Sequence, residues 1–242
     1  MGHGLPDFGA TSAVVTTFGM DDLGELAARL GSIVTYDRRG DVAFLEDFEE
    51  GLWRWITQPD DGWEEATLTA RWAINGRLSA LLKTGGGAEN TSGIWKAFRL
   101  VRLNRWGVEA KWTLGDSASA VDFYVYVCDG ATRTTFRVAY NVPDARLILY
   151  DEDGAVQTVA EVDIHSTAYY DVHVLKVVVD PAAGKYQRVI LNGGEYDISA
   201  YAGVPLASAA APRLELVVAH TALGAYVDQI SVDDIIITQN EP

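Results

Sequence analysis

Two tight turns in the last third of the chain constrain its fold more than any other feature. The stretch from Val172 to Ser199 reads VHVLKVVVDPAAGKYQRVILNGGEYDIS, and each of its two alternating apolar runs is followed by a turn sequence. The first turn, Asp180–Gly184, has Pro early and Gly late, and the second contains Asn192-Gly193. Asn-Gly tolerates the positive φ angles that tight hairpin turns require. The stretch therefore predicts two consecutive antiparallel hairpins in an all-β chain.

The same pattern continues through most of the chain from Val42 onward. Short apolar runs with alternating polarity are separated by turns rich in Gly, Asn and Asp, such as Asp129-Gly130 and Asp153-Gly154. Many short strands with turn signals about every ten residues are typical of an antiparallel sandwich or barrel. We therefore expect one β-sandwich domain over residues 41–242.

Residues 1–40 have a different character, because glycines punctuate a stretch with little apolar alternation. Within them, Leu23, Leu26 and Leu30 share one face of a short predicted helix that ends before Gly31. An isolated amphipathic helix of three turns is only marginally stable, so it must dock on another surface. That surface could belong to its own domain or to another subunit. The sequence thus predicts an N-terminal arm with one short docking helix.

Charge and hydropathy exclude some classes of partner. The formal net charge is −15 and no basic cluster is present, which argues against nucleic acid as a ligand. No apolar run is long enough to predict a membrane span. The first residues do not resemble a signal peptide, so we expect synthesis in a cytoplasm.

Several of the predicted strands resemble, in order, those of concanavalin A-like (laminin-G-like) jelly rolls. The similarity covers about residues 42–238 and is carried by Asp47–Gly51 (DFEEG), Gly107–Leu114 (GVEAKWTL), Phe123–Val127 (FYVYV), Val174–Gly193 (VLKVVVD and GKYQRVILNG) and Val232–Thr238 (VDDIIIT). The resemblance implies an antiparallel jelly-roll sandwich. Lectins, carbohydrate-binding modules, glycoside hydrolases and viral coat or fibre components share this fold, so it leaves the function open.

The resemblance also implies a possible metal site. In a jelly roll the first and last strands are commonly neighbours, and related carbohydrate-binding modules often hold a structural calcium there. Asp47 and Glu49 lie near the first predicted strand, and Asp233 and Asp234 lie on the last. Calcium takes six to eight oxygen ligands, which converging carboxylates could supply. The alternative is that these acids are solvated residues of half-exposed strands.

The chain has seven tryptophans, most of them in its first half. Trp72 and Trp112 lie in alternating strands and are expected in the core. Four others lie beside turns and are expected to be exposed, where they could stack on sugar rings or anchor a protein partner: Trp53, Trp55, Trp63 and Trp106. Burial in the core is the alternative for these four as well.

No catalytic motif stands out. A glycosidase needs two carboxylates across a cleft, and laminarinase-like enzymes of this fold carry them in a compact E-x-D-x-E or E-x-D-x-x-E strand. No such pattern occurs here, and Glu109 stands alone on its predicted strand. We therefore expect a protein without enzymatic activity.

The arm, the sandwich and the lack of a secretion signal together suggest an accessory component of a virion, such as a decoration or fibre protein. Such a protein would be attached through its arm and would be a homo-oligomer, because arms and sheet edges need partners that cover them. The alternative is a carbohydrate-binding module or lectin, and a glycoside hydrolase is a third possibility. The first two differ in their partner, which is a protein assembly in one and a glycan in the other.

Overall fold

The computed structural model describes residues 37, 39–58, 62–85, 91–99, 103–164, 170–223 and 227–242. The predicted helix with Leu23, Leu26 and Leu30 lies outside these residues. Within the described ranges all regular secondary structure is β-strand. In that part of the chain, no helix has the length and apolar character needed to cross a membrane. The predicted all-β fold is confirmed.

The strands form two eight-stranded sheets, here named the back sheet and the front sheet. The back sheet has the order β13-β12-β11-β6-β16-β4-β3, with β1 also paired to β16. Its strands are β1 (Asp41–Glu46), β3 (Thr67–Thr69), β4 (Ser79–Lys83), β6 (Trp106–Thr113), β11 (Val172–Asp180), β12 (Lys185–Leu191), β13 (Gly194–Asp197) and β16 (Gln229–Gln239).

The front sheet has the order β10-β9-β8-β7-β15-β5-β2, with β14 also paired to β8. Its strands are β2 (Glu64–Glu65), β5 (Thr91–Arg99), β7 (Ala118–Cys128), β8 (Thr132–Asn141), β9 (Arg146–Tyr150), β10 (Val156–Glu161), β14 (Val204–Ala207) and β15 (Arg213–Ala222). The pair of β2 and β5 is parallel, whereas the other neighbours in this sheet are antiparallel.

The two sheets enclose one hydrophobic core. Val108, Ala110 and Trp112 of β6 are buried in the same cluster as Phe123 and Val125 of β7. These side chains alternate along their strands, as expected when one face of each sheet packs inward. The first and last strands, β1 and β16, pair antiparallel, as the resemblance implies.

The two predicted hairpins are present. Antiparallel pairs join β11 to β12 and β12 to β13. At the second turn Asn192 and Gly193 have φ angles of 49° and 88°, the positive values that a tight hairpin turn of the primed type requires. The turn chemistry in the sequence therefore specified this part of the topology.

The outer face of the back sheet is sealed by both ends of the described chain. Lys176 of β11 is only 1% exposed and lies 3.0 Å from a carboxylate oxygen of Asp37 and 2.7 Å from one of Glu241. Arg188 of β12 also pairs with Glu241. A buried ammonium group is stable only when carboxylates neutralise it, so these contacts hold the two ends against the sheet. The opposite side of the sandwich, formed by the front sheet, carries a different surface.

Candidate functional site

The outward side chains of the front sheet form the candidate site, here named the front face. In β7, Phe123, Val125 and Val127 belong to the core, so the intervening residues point outward. These intervening residues include Tyr124 and Tyr126, which are half-buried. Antiparallel pairing then places one outward residue from each neighbouring strand beside each of them.

Strand register arranges these side chains in rows across the sheet. The central row contains Trp95, Val217, Tyr124, Arg137 and Tyr150, from β5, β15, β7, β8 and β9 in that order. The next row contains Ala97, Glu215, Tyr126 and Thr135. Aromatic and charged groups from distant parts of the sequence therefore meet on one surface.

The tyrosines of the front face are held by stacking and by arginines. Tyr124 and Tyr126 stack with a centroid separation of 5.9 Å and an interplanar angle of 10°. The guanidinium group of Arg137 lies 3.9 Å from the ring centroid of Tyr150 and 5.0 Å from that of Tyr124. Arg133 lies 5.0 Å from the ring centroid of Tyr126. Cation–π contacts of this kind fix the orientation of the rings before any ligand arrives.

Two tryptophans extend this layer beyond the tyrosines. Trp63 packs on β5 at Gly93, where an added Cβ would come within 2.6 Å of the indole ring. Glycine at this position therefore lets the ring lie directly on the strand. Trp95 donates a hydrogen bond from its indole Nε1 to Glu215, at 3.2 Å. The front face thus carries two indole and three phenol rings.

The polar groups of the front face are paired and partly desolvated. Asp122 lies 2.7 Å from Arg137, and burial raises the pKa of Asp122 even though this cation is adjacent. Burial also raises the pKa of the Tyr124 hydroxyl, which keeps the phenol neutral at ordinary pH. Glu215 accepts from Trp95 and pairs with Arg213. These bonds orient the site without leaving a free acid or base on these residues.

Asp122 and Glu215, two of the acids on the front face, are far apart. Asp122 pairs in register with Ala219 of β15, and Glu215 lies four residues away from Ala219 on the same strand. At about 3.4 Å per residue this offset separates them by roughly 13 Å along the strands. Glycosidases hold their two carboxyl groups about 5 to 10 Å apart. Asp122 and Glu215 therefore do not form an acid and nucleophile pair.

The structure separates the four tryptophans that were expected to be exposed. Trp53 is 72% exposed in the loop beside β5, and Trp63 is half-buried on the front face. The expected exposure of Trp55 and Trp106 is wrong, because they are only 6% and 4% exposed. Trp55 lies in the core and donates to the buried Glu46 at 3.1 Å. Proximity to a turn in the sequence did not distinguish a loop that folds inward from one that projects outward.

Two of the four carboxylates considered for calcium bond to backbone N–H groups of one turn of the back sheet. Glu49 accepts hydrogen bonds from the backbone N–H groups of Arg77 and Leu78. Asp233 accepts from the Asn75 backbone N–H at 2.9 Å and from Ser79 at 2.7 Å. These bonds attach the turn between β3 and β4 to both the first and the last strand regions.

The other two carboxylates have protein partners as well. Asp234 lies 2.7 Å from the buried ammonium group of Lys111, and Asp47 accepts from the Glu49 backbone N–H at 3.2 Å. Asp234 has a positive φ of 46° and lies in a bulge of β16, and its side chain also accepts a hydrogen bond from the Asn75 amide at 3.4 Å. The described residues contain no group of three or more side chains placed to hold a metal ion. Burial raises the pKa of Asp233 to about 7.

Sequence reasoning missed most of the front face. Trp95, Tyr124, Tyr126 and Tyr150 lie in strands that are apolar on both sides, so alternation did not show which side is the core. The sequence contained one weak signal of the outward side, because Asp122 lies on the same side of β7 as Tyr124 and Tyr126. A charged residue in phase with two tyrosines marks the outward side.

Comparison with known proteins identifies the fold. No protein-family model matches the chain, and no curated protein matches it significantly. Among solved structures, the cellulose-induced protein Cip1 is 16% identical with a TM-score of 0.55, over 81% of this chain and 96% of that one. A β-glucanase from Bacillus licheniformis is 10% identical with a TM-score of 0.54, over 83% and 99% of the two chains.

A carbohydrate esterase from the Shiga toxin-encoding bacteriophage phi24B is 12% identical with a TM-score of 0.53, over 84% of this chain and 100% of that one. Identities this low establish common architecture and do not establish common activity. The predicted fold class is confirmed: the sandwich is an antiparallel, concanavalin A-like jelly roll.

Proposed function

We propose that the protein is a non-enzymatic glycan-binding protein and that the front face is its binding surface. The observation that carries this proposal is the layer of five aromatic rings on one sheet: Trp63, Trp95, Tyr124, Tyr126 and Tyr150. The apolar faces of sugar rings pack on aromatic side chains, and neighbouring polar groups bond to the hydroxyls.

The packing of these rings favours binding. Stacking of Tyr124 on Tyr126, and the arginines over both, restrict the rings before a ligand is present. Less side-chain entropy is then lost on binding, which improves the affinity that a shallow surface can reach.

The arrangement of the acids supports binding rather than cleavage. Asp122 and Glu215 are too widely separated for the two-carboxylate mechanism, and each already pairs with an arginine. Glu109, considered above as a lone acid, lies buried on β6 of the back sheet, away from the front face. The names of the similar β-glucanase and carbohydrate esterase also concern carbohydrates, which supports the same broad ligand class.

Affinity electrophoresis against a panel of polysaccharides tests the proposal. We expect binding of at least one polysaccharide, weakened about tenfold by Trp95→Ala or Tyr126→Ala, since each removes one stacking surface. Tyr170→Ala is the matched control, because Tyr170 is 72% exposed and packs on Trp72 rather than on the front face. Retardation that all three variants retain would place the glycan elsewhere, and a panel without any retardation would reject glycan binding.

A virion accessory role is a second candidate, in which the N-terminal arm attaches the sandwich to a larger assembly. The observation that favours it is the position of Asp37, which contacts the back sheet on the side opposite to the front face. Attachment through residues 1–36 would then leave the front face available for a ligand. In this role the protein would be located in the virion and would be a homo-oligomer.

Light scattering of the full chain and of a variant lacking residues 1–36 tests this second candidate. We expect an oligomer for the full chain and a folded monomer for the truncated chain. A monomeric full chain would reject oligomerisation through the arm. An oligomer that persists after truncation would place the contact on the sandwich instead.

Structural calcium at Asp47, Glu49, Asp233 and Asp234 stays a prediction. Binding would require Asp234 to leave Lys111 and Asp233 to ionise, so affinity should increase above about pH 7. A melting temperature that rises with Ca²⁺, and does so no longer in Asp234→Ala, would support the metal. A wild-type melting temperature that is the same in Ca²⁺ and in chelator would show that hydrogen bonds and Lys111 alone stabilise the turn.

A further inference from the structure

One end of the front face carries a row of arginines. Antiparallel register aligns Arg99 of β5, Arg213 of β15, Cys128 of β7 and Arg133 of β8 across the sheet. Adjacent strands are about 4.8 Å apart, so three guanidinium groups occupy a strip roughly 15 Å wide. This strip lies one row beyond Glu215 and Tyr126, and therefore borders the aromatic layer.

Two of these arginines have no carboxylate partner among the residues that the structure describes. Arg133 stacks over Tyr126, and it makes no hydrogen bond or ion pair with any residue that the structure describes. Its Nε atom is buried, and no described residue accepts a hydrogen bond from it. Arg99 is exposed and likewise has no ion pair in the described part of the chain.

The carboxylates near this row are already engaged. Glu215 binds Arg213 and the indole N–H of Trp95. Asp129 accepts hydrogen bonds from the backbone N–H groups of Ala131 and Thr132, at 2.8 and 2.7 Å, and so belongs to the turn between β7 and β8. Neither neutralises Arg133 or Arg99. With these two carboxylates counted, the three arginines leave this strip with a net charge of +1 in a chain whose net charge is −15.

We propose that the front face binds acidic glycans, with a carboxylate or sulfate group of the polymer on Arg133 and Arg99. The inference rests on the glycan-binding function proposed above and specifies its ligand class. A sugar ring on Tyr126 would lie one row from the arginine strip, about 7 Å along the strands, and a ring on Trp95 would lie two rows from it, about 14 Å. Arginine suits this role because its planar fork can donate two parallel hydrogen bonds to one oxyanion.

Matched pairs of polysaccharides test the ligand class by affinity electrophoresis. Polygalacturonate is compared with its fully methyl-esterified form, and a sulfated galactan with the same galactan after desulfation. The variants are Arg133→Gln and Arg99→Gln. Arg77→Gln is the control, because it removes the same charge from an exposed residue in the turn between β3 and β4.

We expect at least one acidic polymer to bind about tenfold more tightly than its neutral partner, because a charge-assisted hydrogen bond adds that much affinity. Arg133→Gln and Arg99→Gln should remove most of this difference, and Arg77→Gln should retain it. A difference within the polygalacturonate pair would indicate carboxylated ligands, and a difference within the galactan pair would indicate sulfated ligands. Added salt should weaken the acidic interaction more than the neutral one.

The outcomes separate this inference from the proposed function. Equal binding of acidic and neutral partners, still weakened by Trp95→Ala, would overturn the acidic class and leave glycan binding in place. A loss in Arg77→Gln equal to that in Arg133→Gln would also overturn it, since only overall charge would then matter. No binding to any of the four polymers, while another polysaccharide of the panel still binds and is weakened by Trp95→Ala, would overturn the acidic class and leave glycan binding in place.

Discussion

His173 illustrates how burial changes the chemistry of a single residue in this fold. Its ring packs on Trp112 with a centroid distance of 5.0 Å, and its Nδ1 lies 3.0 Å from the Asn192 amide nitrogen. Burial lowers the pKa of His173 from 6.5 to about 4. In the unfolded chain the imidazole returns to its ordinary value, so the unfolded state takes up the proton first as the pH falls.

Stability should therefore decrease as the pH falls from 6.5 towards 4. The loss from this one residue is up to about 3 kcal/mol in the free energy of unfolding. His173→Gln keeps an acceptor for Asn192 and removes the titration, so its stability should vary less over this range. Urea unfolding of both proteins near pH 7 and near pH 4.5 measures the difference. Parallel losses in the two proteins would show that other groups cause the acid sensitivity.

At the scale of the elements, the turn between β12 and β13 can be tested by itself. Gly193 has a φ of 88°, and an added Cβ would meet no atom within 4 Å. The cost of a substitution there is therefore conformational rather than steric. Gly193→Val should lower the free energy of unfolding by about 1 to 2 kcal/mol, and Gly193→Asn by less, because asparagine tolerates positive φ. Chemical denaturation measures both, and equal losses would show that positive φ is not the cause.

Turn chemistry and alternation predicted the hairpins of β11, β12 and β13, because both signals are local. The outward face of β7 was not predictable in the same way. Phe123 and Val125 face the core while Tyr124 and Tyr126 face outward, and all four are acceptable on either side of a sheet. The bulge at Asp233-Asp234 was also hidden, since it depends on the pairing of β16 with β6. Register between distant strands decided both features.

At the scale of the whole molecule, the ends of the described chain seal the back sheet. Arg39 forms two hydrogen bonds to Glu195, at 2.9 and 2.7 Å, and also pairs with Asp37. Although burial opposes ionisation, Arg39 and Lys176 lower the pKa of Asp37 to about 2. The last residues of the predicted arm are therefore bound to the sandwich, whereas residues 1–36 lie outside the described part.

Two truncations should separate the contribution of residues 37–40 to stability from that of residues 1–36. Removal of residues 1–36 should leave the free energy of unfolding nearly unchanged, whereas removal of residues 1–40 should lower it by about 2 kcal/mol. The second truncation deletes Asp37 and Arg39 and leaves Lys176 with fewer buried partners. Denaturant titration of both variants measures the difference. Equal stability of the two would show that Asp37 and Arg39 do not stabilise the sandwich.

A substitution of Lys176 offers a second test of the contacts that hold the chain ends on the back sheet. Lys176→Met should lower the free energy of unfolding by about 3 kcal/mol, because Asp37 and Glu241 would then share only Arg188 as a cation. Lys185→Met is the control, since Lys185 is an exposed residue of the neighbouring strand. A variant at position 176 that is as stable as the control would show that methionine packing compensates for the lost charge.

The sequence by itself determined that the chain past residue 40 is an antiparallel sandwich, because turn residues and period-two alternation act over a few neighbouring positions. It also implied that β1 and β16 are neighbours, through the resemblance of their strands to a known fold. Only the tertiary structure decided which aromatic side chains share the front face and which arginines lack a carboxylate. Those properties depend on strand register and on charges that are far apart in the chain, and a local pattern contains neither.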